Sequence, residues 1–145
     1  MAEETLKVVI AVICILFLIG LIVAVYLSIT GAKKTEQAEE NLNRIGDIIS
    51  SLENGENETQ SITNPEGWNL LSFLGIERPN SCLNSNCLCI CKGTEAAKCD
   101  KRGKGSCLVV ANLTNSNLNI EVKGAKDLTF INIKKQDNKI LITEV

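Results

Sequence analysis

From Val8 to Ala32 the chain runs through 25 residues without a charge, and no other feature restricts its fold as strongly. About 20 apolar residues, at about 1.5 Å rise each, cross the ~30 Å hydrocarbon layer of a bilayer as one helix. The stretch from Val8 to Leu27 is therefore long enough to span. Two surroundings suit such a helix, lipid or copies of itself.

After Lys33 and Lys34 the pattern turns amphipathic. Ala38, Leu42, Ile45, Ile49 and Leu52 recur at spacings of 4, 3, 4 and 3, the a/d seam of about two heptads. Ile48 widens the stripe, and Glu36, Glu39, Glu40, Arg44 and Asp47 take the other faces. No proline falls between Glu3 and Glu53. These features predict one helix over residues 1–53, apolar all round over 8–32 and amphipathic over 33–53. The amphipathic stripe suits the chain's own sheet as well as a partner helix, since the two roles use adjoining faces.

Residues 54–67 read as a polar linker with turn formers, Asn54-Gly55 and Asn64-Pro65-Glu66-Gly67. Residues 68–145 then read as a Cys-rich antiparallel β domain, so the expected class is α+β. Strand candidates are Trp68–Leu74, Cys87–Lys92 and Cys107–Ala111. The clearest alternation lies in Asn117–Lys123, Leu128–Lys134 and Lys139–Val145. Gly124-Ala125-Lys126-Asp127 and Gln136-Asp137-Asn138 are hairpin turns between them, which predicts an antiparallel meander with one face on the helix.

Six of the seven cysteines fall within 26 residues: Cys82, Cys87, Cys89, Cys91, Cys99 and Cys107. An even cluster in a small domain predicts three disulfides in an oxidising compartment, although 15 connectivities are open. In CLCICK, Leu88 and Ile90 take one strand face and the sulfurs the other. Cys87, Cys89 and Cys91 would then bond three different partners, such as Cys82, Cys99 and Cys107. Asn57-Glu58-Thr59 and Asn112-Leu113-Thr114 are glycosylation sequons, and they point to the same exterior location. Zinc is the competing use for these thiols, but two Cys-x2-Cys pairs, its usual signature, are absent. Cys14, inside the apolar segment, reads as a small apolar residue.

Little else suggests chemistry. The chain has no histidine, which removes the commonest general base and metal ligand. From Lys33 to Val145 there are 14 Lys and Arg against 15 Asp and Glu, so bulk charge favours no nucleic-acid partner. Lys98, Lys101, Arg102 and Lys104 form a basic loop that reads as a solvated face. Neither catalysis, nor a metal, nor a cofactor is expected. The flanks of the apolar segment are acidic before it (Glu3, Glu4) and basic after it (Lys33, Lys34), so the positive-inside rule places the β domain in the cytoplasm, against the cysteines and sequons. A basic leader removed ahead of Met1 would resolve that conflict.

A long N-terminal helix, apolar then amphipathic and free of proline, followed by a small disulfide-bonded β domain, resembles type IV pilins. The Val/Ile/Leu-rich run from Val8 to Ile29 resembles the archaeal members more than the bacterial ones. The resemblance implies a processed leader and a helix that waits in the membrane. It then assembles in the core of an extracellular filament for adhesion or attachment, with the chain itself as partner. It also implies self-assembly contacts at Val8, Ile15, Leu18 and Ile22, with Gly20 allowing close helix approach. Glu3 or Glu4 would pair with Lys7 or with a neighbour's α-amino group. Where bacterial pilins carry an acid at the fifth mature position, this chain has Thr5. The rival expectations are a single-pass membrane anchor for a disulfide-stapled exterior domain, and a cytosolic metal-binding domain on a membrane tether.

Overall fold

Helix α1 runs from Ala2 to Ser51, as the uninterrupted pattern predicts. The protein is seen here as a computed structural model in which residues 1–100 and 103–145 are described. The chain divides into two units, Met1–Ala32 and Lys33–Val145. The first is the apolar part of α1. The second holds the rest of α1 and all of the β structure.

Among the described residues of the second unit, seven strands form two antiparallel sheets. Strands β1 (Asn57–Ile62), β6 (Thr129–Gln136) and β7 (Lys139–Glu144) lie in the order β1-β6-β7. Strands β2 (Asn69–Phe73), β3 (Cys87–Cys91), β4 (Gly105–Val109) and β5 (Asn119–Glu121) lie in the order β4-β3-β2-β5. A 3-10 turn at Asn80–Cys82 and the four-residue helix α2, Ala96–Cys99, complete the elements.

The amphipathic half of α1 packs on the chain's own sheets. Ala38, Leu42, Ile45, Ile48 and Leu52 share one buried cluster with Leu70, Leu88 and Ile90 from one sheet and Ile131, Ile133, Ile140 and Ile142 from the other. Gly46 permits this approach: a Cβ there would lie 3.2 Å from Leu108 Cδ2. The last turn of α1 contains no basic residue, yet Lys135 of β6 donates from Nζ to the Leu52 carbonyl at 3.1 Å. A cation from the sheet thus meets the negative end of the helix dipole.

The β6–β7 hairpin follows from its turn. Asp137 and Asn138 both have positive φ, 52° and 61°, the conformation of a two-residue type I′ turn, which Asp and Asn tolerate. Period-2 alternation then turns Ile131, Ile133, Ile140 and Ile142 inward.

Two expectations are corrected. The stretch from Asn57 to Ile62, placed above in a polar linker, is strand β1, paired with β6 along its whole length. It lacks an apolar alternation because it is an edge strand with only Ile62 fully buried, and the partner backbone supplies the pairing. The C-terminal third is not one meander. β5 pairs with β2, through Leu70 opposite Ile120, while β6 returns to β1. Alternation reports which face of a strand is buried and not which neighbour it pairs with. Buried Thr129 joins the two sheets, its Oγ1 accepting from the Lys123 N–H at 3.0 Å and donating to the Glu121 carbonyl at 3.3 Å.

The outer edge of β7 is closed by a side chain. The Asn115 amide donates from Nδ2 to the Ile142 carbonyl at 2.6 Å and accepts from the Ile142 N–H, through Oδ1, at 2.7 Å. Leu113 forms a parallel bridge to Ile140 beside it. Asn115 thus does for one residue what another strand would do. Asn115→Ala removes both bonds and is expected to lower stability by about 1–3 kcal/mol. It should also speed hydrogen exchange at the Ile142 amide. Unchanged exchange there would show the edge to be protected by something else.

Candidate functional site

Two regions of the chain are chemically distinctive, and they lie in different units. The first is residues 1–32. Every large apolar side chain from Leu6 to Ile29 is exposed, and the segment contains the one helical window among the described residues that is apolar and long enough to cross a membrane, with none of it buried. A soluble protein's core helix would be covered by its own chain; this one is not.

Val8, Ile15, Leu18 and Ile22, spaced 7, 3 and 4 apart, fall along one side of α1. At 100° per residue Gly20 lies close to the opposite side. A Cβ at Gly20 would meet nothing within 4 Å, so no contact within the chain requires a glycine there. At the N-terminus Lys7 Nζ stands 4.0 Å from Glu3 Oε1, both largely exposed. Such a surface pair contributes little. Glu3 and Glu4 also occupy the first turn of α1, where carboxylates favour the positive end of the helix dipole. Glu4 forms no ion pair among the described residues. Cys14 is the free cysteine and is exposed on this segment.

The second region is the outer face of the sheet containing β3. Alternation on β3 turns Leu88 and Ile90 into the main core and the three sulfurs the other way, as the sequence predicts. Cys82, Cys87, Cys89, Cys91, Cys99, Leu71 and the half-buried Phe73 and Cys107 form a separate apolar cluster on that face. The cysteines pair as Cys82–Cys87, Cys89–Cys107 and Cys91–Cys99. Each β3 cysteine therefore has a different partner. Cys89–Cys107 joins directly opposed residues of β3 and β4, with Cα atoms 4.1 Å apart. The bridges touch one another, with Cys87 Sγ 3.8 Å from Cys89 Sγ.

Sequence reasoning missed the residue that binds the two flanking loops together. The Asp100 carboxylate accepts from the Asn80 N–H (2.7 Å), the Ser81 N–H (3.2 Å) and the Ser81 hydroxyl (3.2 Å). It follows Cys99 and holds the turn containing Cys82, so it clamps one bridge to another. The only signal in sequence was an acid beside a cysteine. On the other loop, Arg78 donates to the Asn84 carbonyl and, at 3.3 Å, to Asn86 Oδ1. Of the basic loop, Lys98 and Lys104 are exposed, and Lys101 and Arg102 lie outside the described residues.

The sequons differ in how they are held. Asn57 and Thr59, on β1, both receive contacts from Asn132 Nδ2 on β6, at 3.4 and 3.3 Å. Asn112 donates its own amide to the Asn138 carbonyl at 2.7 Å, and Thr114 its hydroxyl to the Ile140 carbonyl at 2.8 Å. Both asparagines are exposed.

A cleft of about 380 Å³ runs between α1 and β4, lined by Gly46, Ile49, Ser50, Leu108, Val110 and Asn112 among others. A second, of about 550 Å³, lies beside the disulfide face, and exposed Glu77 and Glu95 are its ionisable lining residues. No family model, curated protein or solved structure matches the chain.

Proposed function

We propose that the chain is a structural subunit of an extracellular, type IV pilus-like filament, assembled through residues 1–32 of α1 and serving attachment. One observation carries this reading. The amphipathic half of α1 is consumed by the chain's own core, while the apolar half has no cover from its own chain. Burying a large aliphatic side chain is worth about 1.5–3 kcal/mol, so more than a dozen of them require an apolar surrounding. Lipid supplies one before assembly, and identical helices supply another after it. Moving from lipid to a helix bundle exchanges like for like, so packing and interhelix fit drive the step. Three disulfides and two exposed sequons suit an exterior β domain, with Asn57 and Asn112 as glycan acceptors. In this reading the unit is neither an enzyme nor a nucleic-acid binder.

A membrane anchor for the same exterior domain is the second reading, favoured by the length of the uncovered window alone. The two part at Gly20. Gly20→Leu makes the helix more apolar and a better helix former by about 1 kcal/mol, and it disturbs nothing in its own chain. As an anchor the variant inserts as well as the native chain. In a filament with close helix approach at Gly20 it inserts but no longer polymerises. The expected result is native fibres sheared from cells and seen by electron microscopy, with Gly20→Leu present in carbonate-washed membranes without fibres. Native chain recovered solely as detergent-soluble monomer would refute the filament.

A further inference from the structure

We infer that the reduced chain carries a tetrathiolate site for a zinc-like divalent cation, built from Cys89, Cys91, Cys99 and Cys107. The Sγ atoms of these four residues all lie within 4.8 Å of one another. Tetrahedral Zn–S bonds of about 2.3 Å place thiolate sulfurs about 3.8 Å apart. Opening the two bridges lets two short edges lengthen while the longer ones contract, each by about 2 Å or less. The packing of β3, β4 and α2 has already brought the ligands together.

Cys82, Cys87, Cys89 and Cys107 satisfy the same distance test, so the choice rests on charge and backbone. A zinc ion held by four thiolates carries a net charge of −2. Lys92 follows Cys91 and Lys98 precedes Cys99, whereas Ser81, Leu83, Asn86 and Leu88 flank Cys82 and Cys87. Among the described residues, segments 92–98 and 100–106 hold Lys92, Lys98 and Lys104 against Glu95 and Asp100, whereas the loop that carries Cys82 holds Arg78 against Glu77. Glycine opens the backbone to the sulfurs on this side. A Cβ at Gly105 would lie 3.0 Å from Cys91 Sγ and 2.8 Å from the Cys99 carbonyl oxygen. Gly93, at φ 127°, turns the chain directly after Lys92.

The chemistry balances with a dithiol as reductant. Each bridge accepts two electrons and two protons, giving two cysteine thiols and one oxidised, cyclic disulfide of the reductant. Zinc then takes four thiols and releases four protons. Two equivalents of a small-molecule disulfide, each taking up two electrons and two protons to become two thiols, restore the bridges and expel the ion, so the same layer has a metal-held and a disulfide-held form. This inference is independent of the filament reading.

Full-length chain in detergent, reduced with dithiothreitol and freed of it under argon, is titrated with Co2+ and then Zn2+. One Co2+ per chain is expected, with thiolate charge-transfer bands and tetrahedral d–d absorption that Zn2+ abolishes. Cys82→Ser/Cys87→Ser retains the bands and Cys91→Ser/Cys99→Ser loses them. Amide dispersion in the NMR spectrum persists in the zinc form. Absence of the bands at one equivalent overturns the proposal, as does the reverse pattern in the variants. It is equally overturned if the reduced chain loses dispersion that zinc fails to restore, or if urea-unfolded chain binds Co2+ as tightly.

Discussion

Replacing both Cys89 and Cys107 with alanine is expected to destabilise residues 33–145 by about 3 kcal/mol, from the loss of loop-closure entropy in the unfolded chain. The bridge spans a separation of 18 residues. Cys82–Cys87 spans 5, and the same relation gives about 2 kcal/mol for its removal. The central bridge also contacts the others, so its loss loosens the apolar layer around Leu71 and Phe73. Removing both partners, rather than one, leaves no odd thiol within residues 33–145 to exchange with the neighbouring bridges. Trp68 is the single tryptophan and is buried in the main core, so its fluorescence reports unfolding in urea without reductant. A loss below about 1 kcal/mol for the Cys89/Cys107 pair, or a larger loss for Cys82/Cys87, would contradict this ranking.

The cysteine layer shows how far residue patterns reach. Alternation in Cys87–Cys91 is enough to separate the sulfur face from Leu88 and Ile90, because a strand has a fixed period of two. It leaves open which cysteine meets which, since that depends on where β4 and the loops fall in space. Cys107 reaches Cys89 only because β4 lies against β3 in one register. Asp100 was invisible for the same reason: its partners, Asn80 and Ser81, are backbone and hydroxyl groups 20 and 19 residues away. β1 was missed because its hydrogen bonds are made by backbone atoms, and its side chains, Asn57 to Ser61, are polar ones that also suit a turn. The long helix was legible because both its halves obey local rules. Over 8–32 the absence of charge is the signal, and over 33–53 it is the recurrence of apolar residues. That recurrence fits a coiled-coil seam and an intramolecular stripe equally well, and the buried contacts of α1 decide for the stripe.

Ile45→Ala tests that decision. Ile45 is fully buried in the seam, among Leu42 and the isoleucines of β6 and β7. Its truncation is expected to cost about 2–5 kcal/mol, the transfer term plus the cavity left in a core that cannot fully collapse. Ile49 belongs to the same heptad pattern but is half-buried and lines the cleft beside β4. Ile49→Ala should cost clearly less, near 1 kcal/mol, because part of the side chain is already in water. In an interchain coiled coil both positions face a partner, the two losses are comparable, and the apparent stability rises with protein concentration. Within one chain the losses differ and concentration has no effect. Urea unfolding of the two variants at several protein concentrations, followed by Trp68 fluorescence, separates these cases. Equal losses that shrink as concentration rises would return the seam to a role between chains. On the filament reading proposed above, that result confines self-assembly to residues 1–32, and substitutions there are expected to stop polymerisation while leaving the urea midpoint of the β domain unchanged.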